Sequence, residues 1–178
     1  MMSAADVVEV ISRLEAAGIS FWLDGGWGVD ALLGEQTRPH DDLDGVVRLD
    51  EADAITEALS PLGFAMSLDN RPTRFVLADA HNHRVDFHPV VFNADSSARH
   101  IGAGTNGGDA PYPADGFSGE GSVGGRAVHC LTTQLLVRHH LGHPPKAKDW
   151  HNVRHLCERF GFPIPDSYKP FAEIEETR

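Results

Sequence analysis

FWLDGGWGVDALLGEQTRPHDDLD, residues 21–44, is the stretch on which the reading of this chain turns. Its front end joins Ile19 and Ser20 in a short, mostly apolar run, Ile19 to Leu23, of the kind that forms a buried strand. Gly25 and Gly26 follow. Trp27 to Leu33 then read as a short helix, which Gly34 stops in the left-handed conformation common at helix C-termini. After a polar connection, Asp42 and Asp44 stand two apart at the start of a second apolar run, Leu43 to Leu49. Side chains two apart in a strand leave the same face, so both carboxylates would aim at one point beside the glycine turn. Converging carboxylates repel each other unless a cation lies between them, and hard oxygen ligands favour Mg²⁺. The pattern points to a metal–triphosphate site.

The pair alone carries little weight: with 16 Asp in the chain, Asp-x-Asp arises by chance about 1.4 times. Its position carries more. It lies one strand, turn, helix and loop after a glycine pair, where backbone N–H groups at a helix N-terminus can hold phosphate oxygens. The plainer reading of Gly25 and Gly26 is an ordinary tight turn. A third carboxylate, Asp86, sits inside the apolar segment VDFHPV at 85–90. A lone ionised carboxylate in a core strand is costly to bury without a cation or donors nearby. Either Asp86 faces solvent from an edge strand, or it joins the aspartate pair.

Composition bounds these readings. A chain of 178 residues, 41% hydrophobic, is expected to fold as one domain with an ordered core. A net charge of −11 argues against a nucleic-acid partner, which calls for basic patches, and suits a cationic small substrate. Cys130 and Cys157 read as buried thiols of a reducing compartment rather than a lone disulfide. The opening MMSAADVVEV lacks the pattern of a signal peptide, and no apolar stretch is long enough to span a membrane. A cytoplasmic location is the expectation.

Along the chain, Ser3 is placed to cap a helix reaching about Ala17, and Asp50 one ending at Pro61–Gly63. Phe64 to Leu68, Thr73 to Ala78 and His83 to Phe92 read as strands separated by turns, which with the earlier elements gives an α/β arrangement with a mixed sheet. From Asn93 to Gly125 the character changes: half of the chain's 18 glycines fall there, together with Pro111 and Pro113. This reads as a long glycine-rich loop, either a wall of the substrate pocket or plain disorder, with a hairpin at Phe117 to Cys130. Thr132 or Thr133 caps a helix through Leu141, closed by Gly142, and Asp149 caps another ending at Gly161. The division is therefore a core over 1–130 and a C-terminal helical segment and tail over 131–178.

Among 11 histidines, His139, His140, His143, His151 and His155 crowd the late helices beside Cys157. The His151/His155 spacing suits a helical metal pair, yet neither a following glutamate nor a CxxC accompanies it, and zinc is the weaker reading. His88 would share the strand face of Asp86. Arg38 and His40, just ahead of the aspartate pair, and Lys146 and Lys148 are placed to meet a triphosphate; a solvated charged turn explains the lysines equally well.

LDGGWGVDALLG followed by TRPHDDLD resembles the small antibiotic nucleotidyltransferases, namely the lincosamide nucleotidyltransferases and the aminoglycoside 2″-adenylyltransferases of the DNA polymerase β-like superfamily. VDFHPV at 85–90, GRAVHC at 125–130 and KDWHNVRHLCERFG at 148–161 extend the resemblance to most of the chain. It implies a polymerase β-like nucleotidyltransferase fold, α/β (α+β), with a mixed sheet covered by helices and a small C-terminal helical appendage. It further implies that a nucleoside monophosphate passes from a nucleoside triphosphate, ATP favoured, to a hydroxyl of a small cationic antibiotic, lincosamide ahead of aminoglycoside, with pyrophosphate leaving. Asp42, Asp44 and Asp86 would bind Mg²⁺, two ions in the usual arrangement, and Asp86 would take the hydroxyl proton or ligate the metal that acidifies it. Gly25, Gly26, Arg38, His40 and Lys148 would hold the nucleotide. A monomer and a homodimer both fit, since so small an appendage leaves the acceptor pocket open unless a second chain covers it. Gly45 departs from the family, which usually carries a branched apolar residue there; this keeps open a non-catalytic or regulatory protein of the same fold, of toxin–antitoxin type. A glycosyltransferase using Asp-x-Asp is the other rival.

Overall fold

The structure, a computed structural model, describes residues 1–141 and 144–176; Gly142 and His143, assigned above to a helix end and a histidine cluster, lie outside the described residues. The chain opens with helix α1 (Ala4–Ala16), whose N-cap Ser3 accepts from the Asp6 N–H while Asp6 accepts from the Ser3 N–H. Strand β1 (Phe21–Leu23) is shorter than the apolar run. Helix α2 (Gly25–Leu33) begins two residues before the expected Trp27, with Asp24 as its N-cap. The glycine pair is thus the first turn of a helix. Strand β2 (Leu43–Arg48) leaves Asp42 just outside its start.

A 3₁₀ turn, Leu49–Glu51, leads into α3 (Ala52–Leu59). The expectation that Asp50 caps this helix is corrected: the N-cap is Glu51, and Asp50 pairs with Arg48 at 3.0 Å. Strands β3 (Ala65–Asn70), β4 (Arg74–Ala78) and β5 (Arg84–Phe92) follow. The segment expected as one long loop holds β6 (Ala98–His100), β7 (Ala110–Tyr112) and β8 (Gly119–Val123), the last paired with β9 (Arg126–Cys130) as a hairpin. Its glycines mark turns between short strands rather than a structureless run. Helices α4 (Thr133–His140), α5 (Ala147–Phe160) and α6 (Lys169–Glu176) complete the chain. Asp149 is not the cap of α5 but lies in its first turn, accepting from the Lys146 N–H at 3.0 Å.

The sheet runs β3-β4-β5-β2-β1-β9-β8, with β6 and β7 added to one end of β5. It is mixed: β2 lies parallel to β5, and β1 antiparallel to β2. Alternation along β2 and β5 sorts their side chains. Leu43, Val47, Val85 and Phe87 join the core beneath α1 and α3. Val46 and Val90 belong to a second core with Val29 of α2, Leu135 and Leu136 of α4 and Leu156 of α5. The Asp44, Asp86 and His88 positions share this second face. Gly45 points the other way, and a Cβ there would meet the Phe21 ring at 2.1 Å. The Phe21 ring fills the volume of the branched side chain that Gly45 lacks. Cys130 and Cys157 are buried free thiols.

Candidate active site

Parallel pairing of β2 and β5 sets Asp44 directly beside Asp86. Two carboxylates from segments 42 residues apart in sequence thus stand side by side on one face. His88, two residues beyond Asp86, joins them: ligand atoms of Asp44, Asp86 and His88 all lie within 4.8 Å of one another, the single such group among the described residues. Asp42 contributes no atom to that group. It is exposed in the bend before β2 and borders the same cavity.

The end of β1 closes the site from the other side. The Asp24 N–H bonds the Asp44 carbonyl at 3.0 Å and the Leu131 N–H bonds the Leu23 carbonyl at 3.0 Å, so the β1–α2 junction is pinned to both neighbouring strands. The Asp24 carboxylate accepts from the Gly25 N–H at 2.8 Å, capping α2. It also faces His88 Nδ1 at 3.4 Å and His139 Nδ1 at 3.2 Å, from β5 and α4. Gly25, at φ +57°, passes so close to Asp44 that a Cβ would lie 2.2 Å from its Oδ2. Only glycine meets both demands.

Charges in this cluster act on one another. Burial lifts the Asp44 carboxyl to about 7; His88 opposes this, and the neighbouring Asp42, Asp24 and Asp86 add to it. Burial would lower the His88 imidazole, but the bond to Asp24 and the charges of Asp24, Asp44 and Asp86 overcome it and hold His88 up to about 9. For Asp24 burial acts upward, yet the His139 and His88 imidazoles outweigh it and hold the carboxyl well below its ordinary range. Asp86 is clamped by a residue the sequence did not flag. Arg74 Nε donates to its Oδ1 at 2.8 Å and Nη2 lies against its Oδ2, a bidentate pair. Only the pairing of β4 with β5, invisible in the linear order, could have revealed it.

The nucleotide candidates divide. Gly25, Gly26, Arg38, His40 and Lys148 all border a polar cavity of about 320 Å³ with Asp42 and Asp44. Lys148 is exposed there. His40 is buried and its Nε2 is engaged by the buried Asp30, which also accepts from Thr37 Oγ1 at 2.6 Å. Arg38 Nε donates to Asn152 Oδ1 at 3.2 Å, and Asn152 Nδ2 meets His140 Nε2 at 3.1 Å. These two residues thus tie the loop before β2 to helices α4 and α5. Gly26 lets them approach, since a Cβ would lie 2.3 Å from His40 Nδ1 and 2.7 Å from Arg38 Nη2. His151 and His155 stack with ring centroids 4.2 Å apart and form no metal group among the described residues.

A second cavity, about 630 Å³, adjoins the first and shares Asp24, His88 and His139 with it. Its wall is the β6–β7 segment, with His100, Asp109 and Tyr112, faced by Arg138 of α4. The ring of Tyr112 meets His139 edge-on at 5.0 Å. Asp109 is already engaged, by Arg99 at 3.0 Å and by the Gly102 N–H at 3.2 Å. Among the described residues no helix is long and apolar enough to cross a membrane.

A divalent cation fits the chemistry of this donor set: a half-buried carboxylate that desolvation lifts to about 7, a buried carboxylate beside it, and an imidazole next to both. Of this group Asp44 borders the smaller cavity and His88 borders both.

Comparison with known proteins finds relatives in both sequence and fold. The sequence model of the aminoglycoside-2″-adenylyltransferase family matches residues 6–156. A lincosamide resistance protein of Staphylococcus haemolyticus is 28% identical over 147 residues, covering 83% of this chain and 89% of its own. A 2″-aminoglycoside nucleotidyltransferase of Escherichia coli is 26% identical over 132 residues, covering 72% and 67%. The crystal structure of the lincosamide antibiotic adenylyltransferase LnuA with lincomycin bound superposes with a TM-score of 0.73 at 27% identity, over 84% of this chain and 93% of that one. The fold is also that of the ANT(2″)-Ia structure with adenylyl-2″-tobramycin, at a TM-score of 0.70 and 19% identity, over 89% of each chain.

Proposed function

Since this chain belongs to the aminoglycoside-2″-adenylyltransferase family and is a nucleotidyltransferase of that fold, we propose that it transfers a nucleoside monophosphate from ATP to a hydroxyl of a lincosamide-type antibiotic, using Mg²⁺. The observation that carries this reading is the side-by-side placement of Asp44 and Asp86 next to His88, a residue that lines both cavities.

In this reading the smaller cavity takes the triphosphate. The first turn of α2 offers a close backbone approach at Gly25 and Gly26, and Lys148 supplies exposed positive charge. Arg38, braced by Asn152, aims its guanidinium across the same cavity. Asp44 and Asp86 would hold the divalent cation, with Asp42 adding negative charge at the mouth. When bound, the ion neutralises phosphate charge and helps orient the attacking and leaving oxygens. Asp86 accepts the proton of the acceptor hydroxyl at a carboxylate oxygen, while Arg74 keeps that carboxylate oriented. The site works chiefly by positioning and by fixed charge. Asp24 anchors His88 and His139 at the boundary where the two substrates meet.

The larger cavity supports the acceptor class. Its two carboxylates, Asp24 and Asp109, are both occupied by protein partners, while Arg138 and three histidines line the rest. A polycationic aminoglycoside calls for several free carboxylates, whereas a hydroxyl-rich sugar bearing one amine suits imidazoles and the Tyr112 ring. ATP as donor places the reaction in the cytoplasm. We also treat residues 131–178 as the acceptor-side segment, since α4 supplies Arg138 and His139. Mass spectrometry of a lincosamide and an aminoglycoside incubated with protein, ATP and Mg²⁺ tests the reading. A nucleotidyl adduct of the lincosamide is expected. Absence of any adduct with both antibiotics, in protein that binds ATP, would favour the non-catalytic alternative.

A further inference from the structure

We infer that His88 is itself a ligand of the divalent cation through Nε2, that Asp24 holds it in that orientation, and that this nitrogen makes Mn²⁺ a tighter occupant of the site than Mg²⁺. The inference rests on the reading above in one respect, that Asp44 and Asp86 bind a divalent cation.

Three observations converge. The first is distance. His88 Nε2 is 3.8 Å from Asp86 Oδ1, inside the separation of roughly 3.0–4.2 Å between two ligands of one ion whose bonds are near 2.1 Å. Asp44, Asp86 and His88 together keep their ligand atoms within 4.8 Å. Asp42, which the Asp-x-Asp spacing paired with Asp44, is exposed and outside the group.

The second observation is orientation. A metal-bound histidine characteristically donates its other ring N–H to a carboxylate, which fixes both tautomer and ring plane. Asp24 occupies that position, 3.4 Å from His88 Nδ1. It is well anchored: 5% exposed, bonded to the Gly25 N–H at 2.8 Å and to His139 at 3.2 Å. With Nδ1 turned to Asp24, Nε2 faces the Asp44–Asp86 side, where a bound cation would take the place of its proton. Asp24 is not part of the Asp44–Asp86–His88 group, so it meets the ring at Nδ1 while Nε2 is left to that group.

The third observation is the donor set. Mg²⁺ is served by oxygen ligands, while imidazole nitrogen favours first-row transition ions, and Mn²⁺ accepts both. Two carboxylates and one imidazole, on adjacent parallel strands, form a mixed set.

Pulsed electron paramagnetic resonance of the intact protein with Mn²⁺ and α,β-methylene-ATP tests this directly. A ¹⁴N modulation from a directly bound nitrogen is expected, replaced by ¹⁵N couplings when the protein carries ¹⁵N-histidine, lost in His88→Ala and retained in His139→Ala. Mn²⁺ should displace Mg²⁺ with at least about tenfold higher affinity. Asp24→Asn, which keeps the helix-capping acceptor, should weaken Mn²⁺ binding about 10- to 100-fold, as expected for a carboxylate orienting a ligating imidazole. Bound Mn²⁺ without histidine nitrogen coupling, or coupling that survives His88→Ala, overturns the inference and leaves the cation site standing. Failure of Mn²⁺ to bind at all overturns both. The wild-type labelling experiment decides the matter even should a variant fail to fold.

Discussion

Burial raises the Asp44 carboxyl to about 7 in the metal-free protein, and that makes it a measurable liability. Its folded value, about 7, lies above the ordinary 3.8. The unfolded chain therefore loses this proton first as pH rises, and metal-free stability should fall between about pH 4 and 7 and then level off. Asp44→Asn removes the dependence. Calorimetry in EDTA should find the variant at least as stable as wild type at pH 8, by at most on the order of 2–4 kcal/mol, and indistinguishable at pH 4. Its pyrophosphate release should drop by about 10³-fold or more, the scale of losing a ligand that holds transition-state charge. A variant that melts earlier at pH 8 would show that Asp44 is structural. The next residue, Gly45, is accounted for by volume: Val in its place would drive a Cβ into the Phe21 ring at 2.1 Å. Gly45→Val should cost about 1–3 kcal/mol in urea denaturation. Adding Phe21→Ala should recover part of that loss, and strict additivity of the two costs would disprove the exchange of ring for branched side chain.

At the scale of elements, the β1–α2 turn shows what the chain discloses and what it withholds. The glycine pair, Asp42 and Asp44 are close in sequence, so their nearness was legible from FWLDGGWGVDALLG and its sequel. The helix start was misread by two residues, since two glycines argue against helix, yet here they open one so that its backbone can touch Asp44 and His40. Asp24 passed unnoticed as a site residue because a lone aspartate before glycine looks like any cap. Its importance arises from His88 and His139, which lie 64 and 115 residues away. Arg74 and Asn152 were hidden for the same reason: strand pairing and helix docking create their partners. Gly25→Ala probes the turn. It forces an L side chain to φ +57° and a Cβ to 2.2 Å from Asp44 Oδ2, a cost of about 1–2 kcal/mol in backbone alone. Far-UV circular dichroism should stay native while divalent-cation affinity in an equilibrium titration falls by about tenfold or more; unchanged affinity would show that the close approach does not shape the site.

Over the whole molecule, net charge and the charge lining the pocket are separate quantities. The value of −11 favoured a cationic acceptor, but charge summed over a surface says little about a cavity whose carboxylates are already paired. Around the larger cavity Asp24 faces two histidines and Asp109 faces Arg99, while Arg138 is exposed on α4 and borders the opening. A polycation entering there meets Arg138 within one Debye length of about 8 Å at physiological salt. Arg138→Asp should therefore raise kcat/KM for an aminoglycoside severalfold and leave that for a lincosamide within about twofold, with the gain shrinking as salt is added. The residue is exposed, so folding should be unaffected, and matched thermal midpoints would confirm it. Equal changes for both acceptors would mean that Arg138 acts on the nucleotide side or on neither. In that case acceptor choice would have to come from shape, through Tyr112 and the β6–β7 wall, instead of from charge at the rim.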